Sequence, residues 1–158
     1  MGGSVTKIPP RPAVRPGRTR VCLAGFSISH HTGRATNIVR AIVAAHPAEY
    51  ESWFYHDKNF RIVQPDGSCL LEEVKAELTE ADRARLKDHR SSPFCWLETP
   101  GGGRKGLGGR DNLSEWALAT FTDAVADAEI IELASTVPVW GPSEWFFDHQ
   151  TPGTAPHK

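Results

Sequence analysis

No stretch of this chain is apolar over the roughly 18 residues that a membrane-spanning helix needs, which excludes an integral membrane protein. Cysteine is scarce: Cys22, Cys69 and Cys95 are the only three in 158 residues, and their odd number and wide spacing argue against a disulfide framework. A charged segment leading into the apolar core of a secretory signal is also missing. We therefore expect a cytoplasmic protein in a reducing compartment, with Cys22 and Cys95 in its core and Cys69 exposed ahead of a helix.

Acidic residues are missing from the first 48 positions, and Glu49 is the first of them. The opening segment is basic and rich in proline instead, with Lys7, Arg11, Arg15, Arg18 and Arg20 among Pro9, Pro10, Pro12 and Pro16. This composition predicts an extended, solvated N-terminal arm over residues 1–19. Its stretch IPPRPAVRPGR is typical of an SH3 ligand in polyproline II form.

The first residues, MGGSVTK, fit the pattern for N-myristoylation at Gly2. One myristoyl chain binds a membrane only marginally, and the basic residues of the arm would supply the second signal. The pattern predicts peripheral membrane association in a eukaryotic cytoplasm. A mitochondrial presequence is the alternative reading, although four prolines would break its amphipathic helix.

Between the arm and the tail, the pattern of apolar residues predicts one α/β domain over residues 20–135. Its predicted order is β-α-β-α-β-β-α: a parallel βαβ unit, a hairpin and a closing helix, giving a mixed four-stranded sheet flanked by helices. The predicted segments are strands 20–26, 52–56, 94–97 and 104–107, and helices 34–45, 70–89 and one that starts near residue 112.

Capping residues predict where the helices start and break. Thr32 is the predicted N-cap of the first helix, and Thr79 with Asp82 predicts a break within the second. Asn112 with Glu115 is the predicted capping box of the last helix. The apolar stripe of that helix is predicted to be Leu113, Trp116, Ala117, Phe121 and Val125. A Pro-rich tail over residues 136–158 holds Trp140, Trp145, Phe146 and Phe147, and we expect part of it to pack on the domain.

The segment SSPFCWLETPGGGRKGLGGRDNL, together with the order of elements, resembles the glutaredoxins of the thioredoxin superfamily over residues 20–127. The resemblance implies a thioredoxin-like fold with a cis peptide bond at Ser92–Pro93. It also implies that Gly109, Arg110 and Asp111, at the start of the last helix, hold a carboxylate of glutathione. Free amides at a helix N-terminus favour such an anion.

The loop Ser29-His30-His31-Thr32 departs from the glutaredoxin pattern, because Ser29 and Thr32 fall where that family has its two cysteines. A hydroxyl cannot exchange disulfides, since the reaction needs a thiolate and a sulfur leaving group. The loop is closer to that of the SH3-binding glutamic-acid-rich proteins, whose thioredoxin fold lacks these cysteines. The resemblance thus implies a redox-inactive module that binds or scaffolds a protein partner.

The implied groove takes glutathione or an extended peptide and consists of Ser29, His30, Thr32, Ser92, Pro93, Gly109, Arg110 and Asp111. The rival hypothesis is a glutathione-dependent thiol oxidoreductase or glutathione-conjugating enzyme that uses the same groove.

Catalysis by Ser29 with a histidine base lacks a nearby acid to orient the ring. A metal site at His30, His31 and Cys95 lacks the spacing of a structural zinc site. The folded part is net acidic and shows no basic stripe, so we expect no nucleic-acid partner.

Overall fold

The structure is a computed structural model that describes residues 10–138. Four strands form its sheet: β1 Thr19–Gly25, β2 Tyr50–His56, β3 Phe94–Glu98 and β4 Arg104–Gly108. The helices are α1 His30–Ala45, α2 Leu70–Glu77, α3 Glu80–Arg85, α4 Arg110–Thr120 and α5 Ala128–Ser135, with a 3₁₀ turn at Lys58–Arg61.

The sheet has the order β2-β1-β3-β4. The strand β1 runs parallel to β2 and antiparallel to β3, and β3 pairs antiparallel with β4. This confirms the predicted α/β class with a mixed four-stranded sheet. Because β1 is the central strand, both of its faces are covered, which is why its sequence is almost continuously apolar.

Alternate residues of β1 feed two separate cores. Val21 and Leu23 point to the face covered by α1, α4 and α5, whose core also contains Ile38, Ile42, Phe54, Leu113 and Phe121. Cys22 and Ala24 point to the face covered by α2 and the 3₁₀ turn, where the core contains Trp53, Tyr55, Phe60, Leu70 and Trp96. The helices therefore flank the sheet on both faces, as predicted.

The predicted break in the second helix is confirmed. The Thr79 hydroxyl accepts a hydrogen bond from the Asp82 amide at 3.3 Å, so the segment divides into α2 and α3. The prediction for the last helix is wrong in part. It ends at Thr120, and Val125, which was expected in its apolar stripe, is 88% exposed.

A fifth helix, α5, follows that the sequence pattern did not reveal. His46, at the end of α1, contacts Asp127, just ahead of α5, with 2.6 Å between Nε2 and Oδ1. Arg34 of α1 donates to the carbonyl oxygens of Leu133 and Thr136 at 3.0 and 2.8 Å. These contacts hold α5 against α1 on the sheet face that α4 also covers.

The described part of the N-terminal arm, residues 10–18, packs on the folded domain. Arg11 pairs with Glu98 and Glu77, Arg15 pairs with Glu51, and Val14 is buried. The expectation of a solvated arm is thus wrong for Arg11 and Val14, which pack on the domain, whereas most of the other residues from 10 to 18 are exposed as expected. Arg20 is also buried and paired with Glu98, so it is not available to a membrane surface.

Two sets of sequence predictions lie outside the described residues. The first is lipidation at Gly2 with the contribution of Lys7, and the second is packing of the tail aromatics Trp140, Trp145, Phe146 and Phe147. Within residues 10–138, no helix is both long enough and apolar enough to span a bilayer.

Candidate functional site

The end of β1 meets the start of α1 and the loop before β3 in a tight contact. A Cβ on Gly25 would lie 2.7 Å from Oγ1 of Thr32 and 2.8 Å from Oγ of Ser92, so only glycine fits. The two hydroxyls are themselves hydrogen-bonded at 2.7 Å, and Ser92 Oγ also accepts from the Phe26 amide at 2.9 Å. The loop before β3 is thereby fixed to α1, and its Ser92–Pro93 peptide bond is cis, as expected.

Ser29 is the N-cap of α1, and its hydroxyl accepts a hydrogen bond from the Thr32 amide at 3.3 Å. The prediction that Thr32 caps this helix is wrong, because Thr32 is buried in the first turn and its hydroxyl faces Ser92. The two residues that replace the glutaredoxin cysteines in the resemblance thus have separate structural roles. The Ser29 hydroxyl accepts from a backbone amide in the first turn of α1, and the Thr32 hydroxyl joins α1 to the loop before β3.

A cleft of about 370 Å³ opens beside this contact, between α1, the loop before β3 and the start of α4. It brings together five of the eight predicted groove residues, namely Ser92, Pro93, Gly109, Arg110 and Asp111. His31, His89, Ser91 and Asn112 complete the lining. Ser29, His30 and Thr32 lie outside the lining, although the ring of His30 packs on that of His31 with 4.2 Å between centroids.

His31 and Arg110 form the charged corner of the cleft. Arg110 donates from Nε to Nδ1 of His31 at 2.9 Å, so the imidazole accepts at Nδ1 and carries its proton on Nε2. Burial and the positive charges of His30 and Arg110 lower the pKa of His31, although Asp111 opposes them. His31 is therefore a neutral hydrogen-bond donor at pH 7, next to the cation of Arg110.

His89 forms the opposite wall and was missed by the sequence analysis. Its Nε2 lies 3.0 Å from the Ser91 carbonyl oxygen and 3.2 Å from that of Pro93, and since carbonyls only accept, Nε2 carries the proton. Burial lowers the pKa of His89, and the charge of Lys75 adds to this effect, while the bonds to the two carbonyls oppose it. A neutral His89 therefore braces the backbone on both sides of Ser92.

The N-terminus of α4 supplies backbone donors to the cleft. Its N-cap is Gly109, and the Gly109 amide donates to Oδ1 of Asn112 at 3.0 Å. The prediction that Asn112 caps this helix together with Glu115 is wrong, since Asn112 lies in the first turn and reaches back to the chain before it. The first amides of a helix have no acceptor within it, and with the Arg110 charge they favour an anion.

None of the three cysteines supplies a thiol to the cleft. Cys22 and Cys95 are buried in the two cores, and burial raises the pKa of each thiol well above its usual value. The expectation of an exposed Cys69 is wrong: it is 4% exposed, with Sγ 4.0 Å from the Phe60 carbonyl oxygen. Within residues 10–138, no group of three histidine, cysteine or acidic side chains is placed to bind a metal ion. His30, His31 and Cys95 therefore do not come together as metal ligands.

An apolar surface adjoins the cleft on the side of β1. Ile28, Ile62 and Val63 are 61%, 48% and 65% exposed, and the guanidinium of Arg61, the residue before Ile62, lies 4.6 Å from the centroid of the Phe26 ring. Phe26, Ser27 and Ile28 also line a second cavity, of about 400 Å³, with His56 and Asp57. The Phe26 amide is bonded to Ser92, which links this surface to the cleft.

Comparison with protein-family models finds none that matches the chain, and comparison with curated proteins finds no significantly similar sequence.

Proposed function

We propose that this chain is a thioredoxin-like domain of the glutaredoxin type that acts as a binding module rather than as a thiol oxidoreductase. The arrangement of elements supports the fold. A parallel β1–α1–β2 unit precedes the antiparallel pair β3–β4, and β1 and β3 are central in the order β2-β1-β3-β4. The candidate cleft lies at the end of β1, where the resemblance places the glutaredoxin site.

One observation carries the proposed loss of redox chemistry. Hydroxyl groups occupy the two cysteine positions, and both are engaged in structural hydrogen bonds, Ser29 with the Thr32 amide and Thr32 with Ser92. A hydroxyl supplies neither a thiolate at neutral pH nor a sulfur leaving group. The cysteines that the chain does have are buried, and none of them lines the cleft. Glutathione-dependent oxidoreduction thus lacks its nucleophile.

The cleft is suited to a carboxylate. Arg110 provides a cation, the N-terminus of α4 provides amides, and His31 provides a neutral N–H donor. The resemblance implies glutathione or an extended peptide as the ligand, and the shared chemistry is the carboxylate bound at Gly109, Arg110 and Asp111. The Asp111 carboxylate already pairs with Arg110 at 2.6 Å, and because its side chain is 79% exposed, we propose that a ligand carboxylate displaces it from the guanidinium.

The adjoining apolar surface favours a protein partner. Ile28, Ile62 and Val63 present apolar area next to a polar cleft, a combination that is typical of protein-binding surfaces. A partner segment that places a carboxylate in the cleft would cover this surface with its neighbouring residues. The domain would then bind a peptide segment with the same groove that oxidoreductases of this fold use for substrates.

Calorimetric titration of the full-length protein with reduced glutathione tests the carboxylate site. We expect binding that is lost in Arg110→Ala and retained in Arg83→Ala, which removes the same charge from α3. A hydroxyethyl-disulfide assay tests the chemistry, and we expect no turnover above the uncatalysed rate. Turnover comparable to that of a glutaredoxin would overturn the proposal of a binding module. Equal binding by both arginine variants would overturn the assigned carboxylate site.

A further inference from the structure

The end of the sheet away from the cleft holds a buried cluster of ion pairs. Glu98, the last residue of β3, is fully buried and pairs across the sheet with Arg20 of β1. Its Oε1 accepts from Arg20 Nε at 3.0 Å, and its Oε2 accepts from the indole N–H of Trp96 at 2.9 Å. Arg104 of β4 lies 3.2 Å from the same carboxylate. The cluster lies at the start of β1, and the cleft lies at its end.

Arg11 of the N-terminal arm inserts into this cluster. Its Nε lies 2.6 Å from Oε2 of Glu98, and one terminal nitrogen lies 2.7 Å from Oε1 of Glu77. The guanidinium is also 5.7 and 5.6 Å from the ring centroids of Trp53 and Trp96. Only 10% of the Arg11 side chain is exposed. We call the site formed by Trp53, Glu77, Trp96 and Glu98 the arginine pocket.

The chemistry of the arginine pocket selects arginine over lysine. A guanidinium is planar, binds two carboxylates from different edges at once and lies flat on aromatic faces, whereas an ammonium is a compact, strongly hydrated point charge. Without the arm, the three carboxylates of Glu51, Glu77 and Glu98 would be paired with only two cations, those of Arg20 and Arg104. The vacated pocket is thus net acidic and exposes two indole rings.

The arm occupies the pocket in the manner of a bound peptide. Pro10 and Pro12 flank Arg11, and proline both fixes its own φ and restricts the preceding residue to extended conformations. Val14 is buried, and Arg15 Nε contacts Glu51 Oε1 at 2.9 Å. Side chains of an extended proline-rich segment therefore anchor it on an aromatic and acidic surface, which is a general mode of peptide recognition.

We propose that the arginine pocket is a binding site for an arginine within a proline-rich segment of another polypeptide, and that the chain's own Arg11 is its tethered competitor. A short tether gives the arm an effective concentration on the order of millimolar, so an outside segment binds only when the arm is displaced. This inference concerns the end of the sheet away from the cleft and does not depend on the function proposed for the cleft.

Titration of full-length variants with a synthetic peptide of the sequence IPPRPAVRPGR tests this proposal by calorimetry. We expect Arg11→Ala, whose pocket is vacant, to bind the peptide at least tenfold more tightly than the unaltered protein. The same peptide with alanine in place of the arginine corresponding to Arg11 is expected not to bind. Arg90→Ala is the matched control, because it removes an exposed arginine that lies outside both the arm and the pocket, and we expect it to behave as the unaltered protein does.

Loss of Arg11 also removes one of the cations that neutralise the buried Glu98 carboxylate, which destabilises the fold. A second variant therefore tests the proposal with a cation kept at this position. Arg11→Lys keeps a charge in the pocket but not the guanidinium that pairs with Glu77 and Glu98 beside the two indoles, and we expect the peptide to displace it and to raise Tm. Absence of peptide binding by Arg11→Lys, or by an Arg11→Ala protein with an intact circular-dichroism spectrum, would overturn the proposal. Equal affinity of the unaltered protein and both Arg11 variants for the peptide would overturn it as well.

Discussion

Arg110 donates a hydrogen bond from Nε to Nδ1 of His31 across 2.9 Å, joining the start of α4 to the start of α1. Arginine has no acceptor and stays protonated, so this contact fixes the imidazole proton at Nε2. The cleft thereby presents a cation and a neutral donor side by side, both directed by helix termini. A carboxylate ligand would meet both groups.

Removing Arg110 is expected to raise the pKa of His31, because the Arg110 cation is one of the causes that lower it. The Arg110→Ala protein is compared with the unaltered one by following the imidazole signals against pH by NMR. Asp111→Asn is the matched control. Because the Asp111 charge raises the pKa of His31, its removal is expected to lower that pKa. An unchanged His31 titration in both variants would contradict the assigned corner.

The same shift predicts how stability depends on pH. A folded-state pKa below the unfolded value near about 6.5 means that protonation of His31 favours the unfolded chain. The stability that depends on a neutral His31 is thus fully present above the unfolded-state pKa and is lost as the pH falls through the folded-state pKa. We expect urea unfolding of Arg110→Ala to show a smaller loss of stability on acidification between neutral and mildly acidic pH. An equal loss in both proteins would contradict this assignment.

Gly25→Ala is expected to destabilise the fold by about 1–3 kcal/mol, because the added methyl group overpacks a closed contact. The new Cβ would lie 2.7 Å from Oγ1 of Thr32 and 2.8 Å from Oγ of Ser92. Chemical denaturation measures the loss. In a Thr32→Ala/Ser92→Ala background both hydroxyls are gone, and the same glycine change should cost measurably less. An equal loss in the two backgrounds would show that the strain lies elsewhere.

Local sequence features predicted the sheet and most of the helices. Apolar runs bounded by proline and glycine marked the strands, and Thr79 with Asp82 marked the break between α2 and α3. The caps of α1 and α4 were misassigned because each helix start offers two competent residues three positions apart. Ser29 and Thr32 both suit an N-cap, and only the contact between Thr32 and Ser92 decides between them.

Features that depend on distant segments were beyond the sequence pattern. His89 enters the cleft through the turn after α3 and belongs to no spaced motif. The buried position of Arg11 depends on Glu98, which is 87 residues away in the chain. An arm with four cations and no acidic residue is expected to be exposed, and only the three-dimensional structure shows which carboxylates pair with it.

Ser29→Cys is expected to give a cysteine with a thiol pKa below the ordinary value, because the helix N-terminus stabilises a thiolate placed there. Rates of alkylation by iodoacetamide against pH measure it. We expect little alkylation of the native cysteines, since Cys22, Cys69 and Cys95 are buried. Ser135→Cys, exposed at the C-terminal end of α5, is the control, and its thiol pKa should lie at or above about 8.5, because a helix C-terminus disfavours a thiolate. Equal pKa values at the two sites would contradict the assigned role of the α1 terminus.

Adding Thr32→Cys to Ser29→Cys tests whether the proposed glutaredoxin-like groove can support thiol–disulfide exchange. We expect measurable hydroxyethyl-disulfide reduction by the double variant, because a thiolate at the helix start would then have a resolving thiol one turn away. Thr32 is buried and bonded to Ser92, so circular dichroism must first show that the fold is intact. An inactive double variant with an intact fold would mean that the groove does not position a thiol substrate.

Glu98→Gln is expected to destabilise the protein by roughly 3–5 kcal/mol, as removal of one partner from a buried ion pair does. The change keeps the size of the side chain but leaves Arg11 and Arg20 without their shared carboxylate. Glu77→Gln is the matched control, because its side chain is 43% exposed and its pairs with Arg11 and Arg104 lie at the rim. We expect that control to lose no more than about 1 kcal/mol in urea unfolding.

The acid limb of the stability curve distinguishes a charge effect from a packing effect at Glu98. Burial alone would raise the pKa of Glu98, but the hydrogen bond from Trp96 and the cations of Arg11 and Arg20 outweigh it, so its pKa is lowered. The stability from this group is therefore present above the unfolded value near about 4.3 and is lost as the pH falls through the folded-state value. In Glu98→Gln that part of the acid loss should vanish, so the difference in stability between the two proteins should narrow below pH ~4. A difference that stays constant down to acid pH would show that Glu98 acts through packing and not through its charge.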